Sequence, residues 1–127
     1  MILYREEHSR RVLVPRVDFV SAPGTSAPGT YRPGGPTALV TGRCAFAFDR
    51  ARGRFSLTSL HPGETLESIR EHTGFDFELP QDGDGAGVDA VPTTPAPTTA
   101  DLRLLRGRVA EEVAETYPRF AALIAAV

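Results

Sequence analysis

The chain has 127 residues, with 14 Arg, no Lys and 16 acids, for a net charge of −2. That length fits one compact domain, and 31 residues are Val, Ile, Leu or Phe, above the roughly one-fifth share below which chains tend to stay disordered. No run approaches 18 apolar residues, residues 1–11 hold no apolar signal core, and the single Cys44 cannot form an internal disulfide, so a cytoplasmic, soluble domain is expected.

The charge is uneven. Residues 1–54 carry nine Arg against four acids, and residues 55–127 carry five Arg against twelve acids. Only Arg10 and Arg11 are adjacent, and no basic stripe or recognition motif accompanies them, so neither nucleic acid nor a membrane is expected as a partner. Lysine-free, alanine-rich usage fits the codon bias of a GC-rich genome.

In chain order, Ile2-Leu3-Tyr4 is a short apolar run with strand character, Val12-Leu13-Val14 stops at Pro15, and Val17-Asp18-Phe19-Val20 is a further β-rich run. Residues 21–25 read SAPGT and residues 26–30 repeat it, and Pro, Gly and small polar residues continue to Pro36, so 21–37 is a loop. Two copies are too few for a repeat architecture. No Lys follows the glycines, so this is not a P-loop.

Ala38–Leu60 holds the clearest pattern. Cys44, Phe46 and Phe48 alternate with Ala45 and Ala47, the period of a strand, and Asp49–Gly53 supplies a turn into a returning strand with Phe55 and Leu57. The phenylalanine face is expected inside. Thr65 is placed to cap a helix through Leu66, Ile69 and Thr73, which Gly74 ends. Phe75, Phe77 and Leu79 alternate with Asp76 and Glu78 as a half-wet strand.

Residues 81–100 are rich in Pro, Gly and Thr and read as a linker. Beyond it, Leu102, Leu105, Val109, Val113, Tyr117, Phe120, Ile124 and Val127 follow steps of three and four, one face of a helix capped by Thr98 or Thr99 and interrupted or restarted at Pro118.

Isolated residue chemistry is sparse. His8, His61 and His72 share no metal-ligand spacing with Cys44 or with one another. Ser21, Ser59 and Ser68 lack a nucleophile-elbow setting, and Cys44 reads as a small buried side chain.

Longer patterns reach further. Val17-Asp18-Phe19-Val20-Ser21-Ala22-Pro23-Gly24 resembles a motif of β subunits of class I coenzyme A transferases. Ser59-Leu60-His61-Pro62-Gly63, then Thr73-Gly74-Phe75-Asp76, then Val91-Pro92-Thr93-Thr94 follow in the matching order. The similarity spans residues 2–108 and points to the glutaconate-type branch, which includes steroid ring-opening hydrolases. Gly42 stands where the family carries an acidic residue, and Ala22 departs from its Thr-Ser-Pro-Gly loop.

The resemblance implies an α/β fold with a mostly parallel sheet, a β-hairpin and a C-terminal helix. It also implies an α-subunit partner in a hetero-oligomer, acyl-CoA as the ligand, a coenzyme A thioester as substrate and no permanently bound cofactor. It covers only the C-terminal half of the family's β chain. The family's nucleophilic glutamate belongs to the other half, and neither Arg5-Glu6-Glu7-His8 nor Gly63-Glu64-Thr65 reproduces its setting, so no catalytic residue is assigned. The expected division is 1–80 as that half domain, 81–100 as linker and 101–127 as a helical segment. Asp18, Ser21 and Gly24, where a strand is expected to open into a loop, are the candidate substrate-facing residues. Three functions stay open: acyl-CoA transfer within a larger assembly, ring-opening hydrolysis, and an inactive interaction module.

Overall fold

A computed structural model describes residues 1–80 and 91–126. The chain forms two compact units, Met1–Thr94 and Pro95–Val127.

The first unit is built on a four-stranded sheet in the order β1-β2-β3-β4. Its strands are β1 (Ile2–Arg5), β2 (Ala38–Thr41), β3 (Cys44–Asp49) and β4 (Arg54–Leu60). The α/β class holds, but the sheet is mixed rather than mostly parallel. β1 and β2 run parallel, with Ile2 opposite Ala38, whereas β2–β3 and β3–β4 are antiparallel. The reason is connection length. β2, β3 and β4 follow one another through tight turns, which reverse direction. Residues 6–37 are long enough to cross over and return parallel, although no helix forms within them.

The expected hairpin forms. The Asp49 carboxylate closes its turn by accepting from the backbone N–H groups of Ala51 (2.9 Å) and Arg52 (3.1 Å). The pairing shifts between Ala45 and Phe46, leaving Thr58 as the extra residue of a bulge. Phe46 is fully buried and collects Phe77 at 5.3 Å, Phe75 at 5.9 Å and Phe55 at 6.1 Å between ring centroids. Leu13, Leu39, Cys44, Leu57, Leu66 and Ile69 complete this core.

Helix α1 (Leu66–His72) begins where Thr65 accepts from the Ser68 N–H at 3.1 Å. Leu66, Ile69 and Thr73 are buried, as their spacing requires. Gly74 follows because the chain passes so close to residue 13 that a Cβ would lie 2.2 Å from the Leu13 carbonyl oxygen, to which Gly74 donates at 2.7 Å. Gly42 has the same kind of reason. A Cβ there would stand 2.5 Å from the Glu6 carbonyl oxygen. The acidic side chain of the family pattern therefore has no room at residue 42.

Two expected strands are corrected. Residues 17–20 form no strand: Val17, Phe19 and Val20 are exposed and have no ladder to join. The stretch from Phe75 to Leu79 runs beside β4 but pairs only through Glu78, whose N–H and C=O bond Phe55 and Leu57. Val91–Thr94 docks similarly: Leu60 and Thr93 form a parallel bridge, and Val91 packs on the core. Of the expected linker 81–100, residues 81–90 lie outside the described residues.

In the second unit the tail stripe is not one helix: it breaks at 115–117, and its last helix packs back on the turns before it. The stripe runs through α2 (Thr99–Leu104), a π-helical turn (Leu105–Val109), α3 (Ala110–Ala114) and α4 (Pro118–Ala126). Thr98 caps α2 in a reciprocal box with Asp101. Pro118 opens α4, where its missing N–H costs nothing. Val127, the last position of the stripe, lies outside the described residues. No helix among the described residues is long and apolar enough to cross a membrane.

Candidate functional site

The two copies of SAPGT fold differently. In the second, Thr30 N–H bonds the Ala27 carbonyl at 3.1 Å with Gly29 at φ 85°, a turn in which Pro28 and Gly29 take the two central positions. The first copy instead seats Gly24 against Phe48 and Pro36, and its Pro23 carbonyl accepts from Arg32. The loop thereby comes to rest on the β3–β4 turn. Arg50 fixes it by donating to the carbonyls of Pro33 (3.2 Å) and Arg32 (3.1 Å). Between loop and turn lies an open cavity of about 330 Å³, lined by Gly24, Thr25, Ser26, Thr30, Arg32, Arg50 and Ala51.

Of the expected site residues, Gly24 lines this cavity. Asp18 and Ser21 are exposed on the preceding chain and do not line it. Arg32 and Arg50 were not legible as a pair. They stand 18 residues apart, and no local pattern joins them.

A second group of polar side chains is buried. His8 reaches Thr41 Oγ1 with Nδ1 and Thr73 Oγ1 with Nε2, both at 2.9 Å, and stacks on Phe46. Burial, then the positive charges of Arg43 and His72, hold the His8 pKa below the ordinary imidazole value. Cys44 Sγ lies 3.7 Å from His8 Nδ1, but burial pushes its thiol up to about 11. A nucleophilic cysteine needs a lowered pKa and access, and Cys44 has neither. Thr41 Oγ1 accepts from the backbone N–H groups of Arg43 (3.2 Å) and Cys44 (3.1 Å), so the group ties β1's exit, the β2–β3 turn and the end of α1 together. Its role is architectural.

His61 is similarly engaged. Its Nε2–H donates to the Thr41 carbonyl at 3.0 Å, and Nδ1 accepts from the Thr94 hydroxyl at 2.9 Å. Of the three glutamates in the two segments compared with the family's nucleophile, Glu7 and Glu64 are held by cations and hydroxyls. Glu7 accepts from Ser9 (2.7 Å) and Arg11 (2.6 Å), which hold its carboxyl below the usual range, the Ser9 bond foremost. Glu64 accepts from Ser68 (3.2 Å) and Arg43 (3.4 Å). Among the described residues no three His, Cys, Asp or Glu side chains gather as a metal site would require.

No protein-family model matches the chain. Curated relatives do. The chain is 31% identical to the β subunit of the 3-oxoadipate CoA-transferase of Pseudomonas knackmussii, over 90% of this chain and 42% of the relative. It is 28% identical to the β subunit of the glutaconate CoA-transferase of Acidaminococcus fermentans, over 81% and 38%. Among solved structures it is similar to IpdAB of Rhodococcus jostii (TM-score 0.68, 28% identity), covering 84% of this chain and 41% of that one. The Acidaminococcus fermentans glutaconate CoA-transferase gives a TM-score of 0.63 at 26% identity, with 84% and 40% covered. The decarboxylase AibA/AibB gives 0.56 at 28% identity, with 80% and 36% covered.

The fold is therefore that of a segment of a CoA-transferase-type subunit. The chain is a relative of CoA-transferase β subunits, and it spans about two fifths of their length, a partial match consistent with a C-terminal half.

Proposed function

We propose that the chain is the C-terminal portion of a CoA-transferase β subunit. It contributes to acyl-CoA transfer between carboxylic acids only together with an α subunit and the remaining part of its own subunit, whether that part is joined to it or separate. The observation that carries this reading is the partial-length match to the β subunits of two CoA-transferases. On this reading residues 1–80 belong to the transferase-like domain, 81–100 tether the tail, and 101–127 form an added helical segment. The substrate is a coenzyme A thioester, no cofactor is held permanently, and the setting is the cytoplasm.

An open sheet edge supports it. Among the described residues β1 pairs only with β2, and all four of its residues are exposed. An uncovered strand is a template for further pairing. Glu7 and Glu64 are tied to Ser9, Arg11, Ser68 and Arg43, and no glutamate of the chain has the family nucleophile's sequence setting, so the attacking carboxylate is assigned to the remaining part of the subunit. Within the assembly Asp18, Ser21 and Gly24 face the substrate.

The likeness to a decarboxylase is a reminder that one fold hosts several reactions. The test is complementation: add the chain to an α subunit and an N-terminal β-subunit portion, then follow acyl-CoA by chromatography with and without an acceptor acid. Transfer that depends on this chain is the expected result. Release of free acid without any acceptor would replace transfer by hydrolysis. No turnover of any acyl-CoA in the complete mixture would leave an interaction module.

A further inference from the structure

We propose that the cavity between the SAPGT loop and the β3–β4 turn binds the phosphate groups of an organic polyphosphate. On the function proposed above, that ligand is the nucleotide end of the coenzyme A thioester. The inference rests on that reading for the ligand's identity, and on the cavity's own chemistry for its charge.

Two guanidinium groups, Arg32 and Arg50, line the cavity together with the hydroxyls of Thr25, Ser26 and Thr30, and no carboxylate does. Both arginines are positioned by neutral oxygens. Arg50 donates to the carbonyls of Pro33 and Arg32, and Arg32 donates to the carbonyl of Pro23 and to Ser26 Oγ. Neither belongs to the ion pairs seen among the described residues, which join Arg11–Glu7, Arg43–Glu64, Arg52–Glu78 and Arg108–Glu112.

Carbonyls orient a guanidinium without cancelling its charge. Each Arg has five N–H donors, so braced arginines keep donors for an incoming anion. The nearest acid in sequence, Asp49, is committed to the backbone of its own turn.

The cavity is also seated on ordered structure. Gly24 packs on Phe48 of β3, and the Arg50 side chain lies against Gly35. Its volume falls at the lower end of the roughly 300–1,000 Å³ common for ligand pockets. Two forked cations and three hydroxyls outnumber the acceptor sites of one carboxylate and suit a diphosphate. The site also gives a role to the tandem pentapeptide, which supplies four of its lining residues.

The experiment titrates the full chain with coenzyme A, 3′-dephospho-coenzyme A, pyrophosphate and inorganic phosphate. Calorimetry and backbone amide shifts are read at low and high salt. Coenzyme A and pyrophosphate should bind, shift the amides of Thr25, Ser26 and Thr30, and weaken as salt rises. Arg32→Gln and Arg50→Gln should each weaken binding roughly tenfold, about one charge-assisted hydrogen bond. Arg16→Gln, at an exposed arginine outside the cavity, should leave it unchanged.

Because Arg32 and Arg50 also brace the loop, Thr25→Val and Thr30→Val provide a second arm that leaves the braces intact, with a smaller loss expected. A preference for coenzyme A over its 3′-dephospho form assigns the 3′-phosphate to the site. Equal affinity assigns the diphosphate. Inorganic phosphate binding as tightly as coenzyme A would overturn the coenzyme assignment. Absence of binding by all four, or binding indifferent to both arginine variants, would overturn the site. An assembly that transfers acyl groups with an unchanged KM in both arginine variants sinks the site and keeps the function. Anion binding without transfer in the complete assembly does the reverse.

Discussion

The two edges of the sheet treat their surroundings in opposite ways. Beside β4, the chain returns twice, through Glu78 and through Thr93, and closes the edge with parallel bridges. The aromatic rings there, Phe46, Phe55, Phe75 and Phe77, are packed on one another. At β1, nothing among the described residues pairs with the outer side, and Ile2 and Tyr4 are 68% and 70% exposed. Burying such a side chain is worth about 2–3 kcal/mol, so this side forgoes stability that the other side collects. The difference teaches that the chain closes one edge itself and, among its described residues, leaves the other open for pairing.

Phe46→Ala tests the closed side most severely. The ring touches three other phenylalanines and has no exposure, so its loss should cost about 3–5 kcal/mol. Urea titration followed by circular dichroism would read this. A loss below about 1 kcal/mol would mean that the closed side is not the stable half of the comparison.

Gly74→Ala comes next. The new methyl would meet the Leu13 carbonyl at 2.2 Å and displace the bond from Gly74 N–H that joins α1's exit to the Leu13 turn. Backbone cannot yield as a flexible side chain does, and a cost of about 2–3 kcal/mol is expected in the same titration.

His8 sets a pH dependence in the core, where it stacks on Phe46. Its folded pKa lies below 6.5, so the unfolded chain takes the proton first. The stability it contributes is complete above the ordinary imidazole value and is lost as pH falls from there toward the folded pKa. The urea midpoint should drop between about pH 7.5 and 5.5. His8→Gln should flatten that drop, and a slope identical in both proteins would remove His8 as its origin.

These residues also mark what was legible. The β3–β4 hairpin, the Thr65 cap and the Pro118 restart depend on neighbours a few positions away, and local spacing reveals them. The His8 group does not: its partners Thr41 and Thr73 lie 33 and 65 residues along the chain. Arg32 and Arg50 converge only because Phe48 and Pro36 seat the loop on the turn. Val17–Val20 has strand composition but no strand to pair with, since β-propensity is a preference for a packed pleated surface. Asp18 and Ser21 were placed by the strand that was expected there, and without it they lie outside the cavity that Gly24 lines.

Thr65→Ala probes helix α1, which packs on the core that both edges share. The hydroxyl satisfies one free N–H of α1, and its removal should cost about 1 kcal/mol. Because Leu66 and Ile69 reach the core from that helix, the loss should appear in the global transition rather than as local fraying. Hydrogen exchange of α1 amides, compared with those of β3, separates these outcomes.

The smallest effect on folding is expected at the open edge, and it is the most discriminating. Tyr4, in β1, is 70% exposed, so Tyr4→Thr should change the stability of the chain alone by no more than about 0.5 kcal/mol. In an assembly that covers this side, the same ring would be buried, and its loss should weaken association by about tenfold or more. Sedimentation of the wild-type and variant chains, alone and with the α subunit and N-terminal β-subunit portion, gives both numbers. If the variant loses stability alone, the open edge is already part of the chain's own core. If it changes neither stability nor association, the exposure of Tyr4 carries no interface, and the asymmetry between the two edges must be explained without a partner.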